Sequence, residues 1–189
     1  MKLKVFRKKY DKKVKKKNSD SKWILLITVV SFVISFLLSL VSELIIPKAN
    51  ILLSIFLLLF FIFLGVIFDI IGVSITTADE KIFHSMASQK IKGSKIAIKL
   101  INKRDKASSF CNDVIGDICG VISGSCGLSI ALKLSNILDV NSFYLILTLT
   151  GVISALTIGG KAIGKGFAVN KCNDILFEIS KILSIFSKK

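Results

Sequence analysis

Four apolar segments, each long enough to cross a lipid bilayer, constrain the fold of this chain more than any other feature. They cover residues 23–46, 51 to about 78, 110 to about 134 and 143 to about 164. A helix needs about 20 apolar residues to cross the hydrocarbon core, where its backbone polar groups must be paired internally. The sequence therefore predicts an all-α polytopic membrane bundle of four transmembrane helices with two interfacial amphipathic helices.

The first apolar segment follows a lysine-rich stretch, as the apolar region of a secretory signal peptide does. Such a region has about 7 to 15 residues and leads to a small-residue cleavage site, whereas 23–46 is longer and ends near Glu43 and Pro47. We predict three regions: a disordered basic cytoplasmic tail (1–22), an additional transmembrane helix (23–46), and a transmembrane domain with its juxtamembrane helices (51–189).

Basic residues are concentrated in three blocks. Residues 1–22 hold eleven Lys or Arg, 79–109 hold eight and 161–189 hold six. Four spans with both termini cytoplasmic place all three blocks inside, as the positive-inside rule requires. Basic runs beside apolar segments also attract anionic lipids at about 1 kcal/mol per charge, so we expect membrane lipids and no nucleic acid as partners, with localisation to the cell membrane.

Two polar segments have the pattern of helices that lie in the membrane interface. In 79–109, one helical face carries Lys92, Lys95, Lys99 and Lys103 and the opposite face carries isoleucines. Residues 174–186 alternate apolar and charged positions in the same way. An apolar face opposite a lysine face is typical of interfacial helices.

The third apolar segment contains two carboxylates one helical turn apart, Asp113 and Asp117. A charge at the centre of a bilayer costs at least about 2.5 kcal/mol on insertion scales, so such residues usually serve a function. Gly116, Gly120 and Gly124 form a strip that allows close helix packing. The second apolar segment adds Asp69 and Ser74 in its polar half.

These oxygen groups suit hard cations such as magnesium, calcium or sodium. We therefore expect the metal ligands to be Asp117, Asp113, Ser74 and Asp69, around one polar chamber between the second, third and fourth spans. Alternatively, Asp113 and Asp117 pair with Lys161 or with interfacial lysines. The four cysteines include no CxxC pair, and no nucleophile and base constellation is visible, so we do not expect an enzyme.

Several motifs between about Phe61 and Phe186 resemble the transmembrane domain of the cyclin M and CorB/CorC magnesium transporter family. The basic turn of that family corresponds to 92–97 (KGSKIA), its Ile-Gly-Asn motif to 115–117 (IGD), and its last-span motif Gly-Glu-x-x-Pro-Lys to 160–165 (GKAIGK), followed by a helix like the belt helix of the family. The resemblance implies magnesium as a bound divalent cation and a homodimer.

Departures from the family pattern concern the metal-binding positions. Asp117 stands at the position of an asparagine ligand, Lys161 at that of a glutamate, and Gly164 at that of a proline. We expect no cystathionine-synthase-type regulatory domains. We expect a magnesium or other divalent cation transporter of CorB/CorC type; the alternative is a non-transporting scaffold or regulatory subunit in which Lys161 replaces the bound cation.

Overall fold

The computed structural model describes the backbone of residues 2–186 and the side chains of residues 21–185 except Glu43 and Pro47. The chain divides into two compact units between Leu38 and Ser39. Every regular element in the described range is helical, which confirms the predicted all-α fold.

The elements follow one another with short connections. In chain order they are α1 (Lys2–Ile45), a 3-10 helix (Ile46–Lys48), α2 (Ile51–Thr77), α3 (Glu80–Ser88), α4 (Ser94–Ile101), α5 (Arg104–Ser109), a π-helical turn (Phe110–Ile115), α6 (Gly116–Leu138), α7 (Ser142–Asn170) and α8 (Cys172–Phe186).

Four helical segments are long and apolar enough to cross a membrane. They are Ser21–Ser42, Ile51–Thr77, Arg104–Leu138 and Ser142–Asn170. The four predicted spans are present, and the chain is that of a membrane protein. The turn between the third and fourth spans is shorter than the predicted 135–142, because α6 continues to Leu138; Asp139 ends α6 in a left-handed conformation and Asn141 caps α7.

The basic segment 2–22, predicted as a disordered tail, belongs to α1. Residues 2–45 contain neither proline nor glycine, and lysine is a good helix former. Nothing in the local sequence therefore ends the helix before the apolar segment begins. Met1 lies outside the described residues.

Helix α2 is the central element of the unit 39–186, since it packs against α6, α7, the π-helical turn, α5 and α8. Its first half exposes Leu52, Phe56 and Phe63, whereas its second half buries Asp69, Gly72, Ser74 and Ile75. The polar half therefore faces neighbouring helices as predicted. The apolar half faces outward only in part, because Ser54, Leu58 and Ile62 on one of its faces are buried.

Glycines allow close packing at only some of the predicted positions. A side chain at Gly127 would collide with Ile153, and one at Gly164 would lie 2.9 Å from Ile70. In contrast, Gly120 and Gly124 have no atom of another element within 4 Å of the position that a Cβ would take. Of the predicted strip of α6, only Gly116 lies close to another element, whereas Gly120 and Gly124 are open and the close packing occurs at Gly127 instead.

The predicted basic amphipathic segment is divided into three helices at the lysine-rich end of the bundle. Lys92, Lys95, Lys99 and Lys103 are exposed, while an apolar cluster joins α2, α3, α4 and α8. Gly93 has φ +91°, and a Cβ there would lie 3.0 Å from the backbone nitrogen of Lys181 in α8. The turn before α4 thus requires glycine for its conformation and for its contact with α8.

Lys133 stabilises the opposite end of the bundle. Its ammonium donates hydrogen bonds of 2.6 Å to the carbonyl oxygens of Ile46 and Ala49, at the end of the 3-10 helix. A cation at the carboxyl end of a helix also interacts favourably with the helix dipole. The connection between α1 and α2 is therefore attached to α6 by a charge-assisted pair of hydrogen bonds.

We expect Lys133→Met to lower the free energy of unfolding by about 1.5–3 kcal/mol, the range for hydrogen bonds to charged groups. Denaturant titration of the detergent-solubilised protein, followed by circular dichroism, measures this change. Lys48→Met is the matched control, because Lys48 is exposed beside the same connection. Equal stability of the two variants would show that the Lys133 contact contributes nothing.

Candidate functional site

The four predicted ligands fall into two groups in the structure. Asp69 and Ser74 are buried, with relative exposures of 4% and 0%. Asp113 and Asp117 are exposed on the surface of the unit. The structure therefore does not gather the four side chains into one chamber.

The phase of the third span explains the exposure of Asp113 and Asp117. The line of this span that faces α2 contains Asn112, Gly116 and Cys119, as their contacts with Gly72 and Gly65 show. On an α-helix, a residue lies about 100° around the axis from its neighbour in sequence. Each carboxylate directly follows a residue of the contact line, Asp113 after Asn112 and Asp117 after Gly116, and so points away from it.

Ser74 is buried but lies apart from Asp69. Five residues separate them on α2, which corresponds to about 140° around the helix. The Ser74 hydroxyl donates a 2.8 Å hydrogen bond to the carbonyl oxygen of Ile70 within the same helix. Its hydroxyl proton is therefore already engaged in α2.

A different set of groups surrounds Asp69. On α2, Gly65 and Gly72 lie one helical turn before and after it on the same face. Gly65 contacts Cys119 and the carbonyl oxygen of Gly116, and the Asn112 carboxamide lies over Gly72. Asp69 consequently faces the third span between Asn112 and Gly116.

Lys161 reaches the same level from α7. Its Nζ atom lies 3.5 Å from the position that a Cβ of Gly116 would take, and the residue is half-buried. The predicted pairing with Asp113 or Asp117 is not formed, since the described residues include no carboxylate oxygen within 4.0 Å of Lys161 Nζ. We call Asp69, Asn112, Gly116 and Lys161 the polar layer.

Two oxygens of the polar layer have no hydrogen-bond partner. Asp69 Oδ2 and Asn112 Oδ1 are both buried, and neither receives a hydrogen bond. The Asn112 amide nitrogen, in contrast, donates to Ser108 Oγ at 3.3 Å. Buried polar atoms are normally paired, and an unpaired one costs about 1–3 kcal/mol. These two acceptors thus mark a place where a donor or a cation would be stabilised.

The polar layer lies near one boundary of the hydrocarbon core. About 20 helical residues cross that core. This length, counted from Ile51 in α2, ends close to Asp69. Counted back from Leu138 in α6 it ends close to Gly116, and counted onward from Ser142 in α7 it ends at Lys161. The layer is therefore within reach of the lysine-rich end of the bundle.

The groups of the polar layer that could bind a metal ion are oxygen atoms. No group of three His, Cys, Asp or Glu side chains converges anywhere in the part of the chain that the structure describes. The available ligands are carboxylate, carboxamide and backbone oxygens, which suit hard cations such as magnesium and sodium. Magnesium usually retains several waters and needs only one or two carboxylates, so a single buried aspartate with an amide oxygen fits a partly hydrated ion.

Asn112 is the residue of this layer that sequence reasoning missed. It is uncharged, and the argument from insertion costs selected the neighbouring carboxylates. The sequence did contain a signal for Asn112. This residue lies one helical turn before Gly116, and Gly72 lies one turn after Asp69. The π-helical turn that contains Asn112 has no sequence signature in this segment, although such turns occur frequently at functional sites.

Comparisons of the chain with family models, with curated proteins and with solved structures found no match.

We expect Gly72→Ala to lower the free energy of unfolding by about 1–3 kcal/mol, the usual cost of overpacking. The added methyl group would take the space of the Asn112 carboxamide, which must turn away from Asp69. Gly120→Ala is the control, because that position is open and alanine favours a helix. Denaturant unfolding in detergent compares them, and equal effects of the two changes would contradict the close contact.

Proposed function

We propose that this protein is a multi-pass protein of the cell membrane that binds and transports a divalent cation, foremost magnesium, in the manner of the CorB/CorC family. The observation that carries the proposal is the pair of buried, unpartnered oxygens, Asp69 Oδ2 and Asn112 Oδ1. A cation between them would remove the cost of two unsatisfied acceptors inside an apolar bundle.

The location of the polar layer supports transport rather than structural binding alone. Intramembrane carboxylates that face a bundle interior commonly mark ion pathways. Asp69 lies in the contact between α2 and the third span. Lys161 of α7, the third helix of the layer, lies beside Gly116. Movement of one span relative to the others would therefore open or close access to the layer.

The lysine blocks support an orientation with both termini in the cytoplasm. In that orientation the polar layer lies near the cytoplasmic boundary, and the exposed lysines of α4 face the anionic lipids of the inner leaflet. The family resemblance adds a second copy of the chain as partner. The open face of α6 beside Gly120 and Gly124 is compatible with such a partner.

We expect Asp69→Asn to weaken magnesium binding at least about tenfold, a change of 1.4 kcal/mol in binding free energy. The asparagine keeps the shape of the side chain and removes the charge that attracts the ion. Magnesium-dependent stabilisation of the detergent-purified protein provides the measurement, since a ligand at 100 times its Kd stabilises by about 2.7 kcal/mol.

Asp117→Asn is the matched control, because it removes an exposed carboxylate. Binding that depends on Asp117 and not on Asp69 would reject the polar layer as the site and favour the ligands predicted from the family motif. An unmodified protein that shows no magnesium binding would reject the transport proposal.

The alternative function is a non-transporting scaffold or regulatory subunit in which Lys161 permanently replaces the cation. The position of the Lys161 ammonium beside Gly116 favours this second candidate, since a fixed positive charge repels a divalent ion. In this case the bundle needs no ion, and its polar layer serves only to hold the helices together.

The second candidate predicts that the unmodified protein does not bind magnesium and that Lys161→Glu creates binding. The substitution replaces the positive charge beside Gly116 by a second carboxylate in the polar layer. Isothermal titration of the detergent-purified variants detects the gain, with Lys165→Glu as control because Lys165 is exposed one turn further along α7. Equal binding by the two variants would contradict a specific role of Lys161.

A further inference from the structure

Lys161 reaches the polar layer that holds the two unpartnered oxygens, and it is not ion-paired within the described residues. Its ammonium lies beside Gly116, on the contact line of the third span that also contains Asn112. The described residues include no ion pair of Lys161 within 4.0 Å. A lysine ammonium has three donors, and donors are what the two unpartnered acceptors of the polar layer lack.

The Lys161 side chain is long and lies near the membrane boundary, so its ammonium has a second possible position outside the polar layer. The residue lies near the boundary of the hydrocarbon core, and lysine side chains near helix ends extend toward the headgroup region while their methylene groups remain in the apolar phase. The half-buried state of Lys161 is consistent with a side chain that borders both environments.

The backbone around Lys161 leaves space for its side chain next to the contact between α7 and α2. Gly160 packs against Val66 and Gly164 against Ile70, so α7 lies close to α2 on both sides of Lys161. Gly116 has no side chain opposite the ammonium. Gly116 therefore presents no Cβ to a Lys161 side chain that changes its rotamer.

We propose that Lys161 is a tethered competitor for the cation site: its ammonium and a free cation occupy the polar layer in alternation. This inference rests on the proposed cation binding at Asp69 and Asn112 and assigns the regulation of that site. When the ammonium donates to Asp69, the layer is electrically neutral and excludes a second cation. When a divalent cation binds, the ammonium moves outward to the headgroup region.

Alternation of the ammonium and the cation changes both the cation affinity of the polar layer and the chemical reactivity of the Lys161 amine. Removal of a competing charge strengthens cation binding, and the coupling is reciprocal, so cation binding must weaken the inward position of Lys161 by the same factor. The two effects are measurable separately, one as a binding constant and the other as the reactivity of a single amine.

The first experiment measures magnesium affinity of the detergent-purified full chain by isothermal titration. We expect Lys161→Met to bind magnesium about five- to 150-fold more tightly than the unmodified protein, the usual range for coupled sites. Lys165→Met, which removes an exposed lysine from the same helix, should leave the affinity unchanged. Both single variants retain a long apolar side chain in place of the lysine stem.

The second experiment measures the rate at which acetic anhydride modifies Lys161 in the unmodified protein, with peptide mass spectrometry as readout. Saturating magnesium should raise the rate at Lys161 and leave the rate at Lys165 unchanged. Asp69→Asn should abolish the effect of magnesium on Lys161.

The outcomes separate this inference from the function on which it rests. If the unmodified protein and Lys161→Met bind magnesium equally, the competition is refuted while cation binding stands. Weaker binding by Lys161→Met would also refute it, since the lysine would then support the site. If no variant binds magnesium, the proposed function and the inference fail together.

Discussion

Close approach of α2 to the third span is the contact on which the rest of this bundle depends. Gly65 and Gly72 on α2 remove side chains where α2 meets Cys119, the Gly116 carbonyl and Asn112 of the third span. In lipid, where no difference in hydrophobicity drives helices together, such packing is a main source of association. The same approach places the Asn112 carboxamide over Gly72, one helical turn from Asp69, so the residues that allow packing also bring two buried polar groups to the same contact.

Hydroxyl groups in the spans are largely engaged by their own helices. Ser54, Ser74, Ser123 and Ser135 each donate to a carbonyl oxygen three or four residues earlier. This pairing makes a serine inexpensive inside a bundle and leaves it less able to act elsewhere. Asp69 has no proton to donate when ionised, and the Asn112 oxygen is an acceptor, so neither can be satisfied in this way. The acceptors, rather than the hydroxyls, therefore define the candidate site.

Long apolar runs and lysine spacing were sufficient to predict the spans, their turns and the amphipathic helices, because these features depend on composition and period. The site required the rotational phase of the third span, which composition does not contain. A shift of one residue separates Asp113 from Asn112 and Asp117 from Gly116, and it exchanges a buried position for an exposed one. The helical character of residues 2–22 was missed for a related reason, since a strong charge was given more weight than the absence of a helix breaker.

The charge balance of the polar layer determines how the bundle can exist without an ion. Two buried carboxylates would repel each other without a cation between them, whereas an aspartate and a lysine in the same layer carry opposite charges. On the proposed function, the layer therefore combines two acceptors for a cation with an internal positive charge. A bundle built in this way tolerates an empty site, and tolerance of the empty site is a physical requirement for any protein that releases the ion it carries.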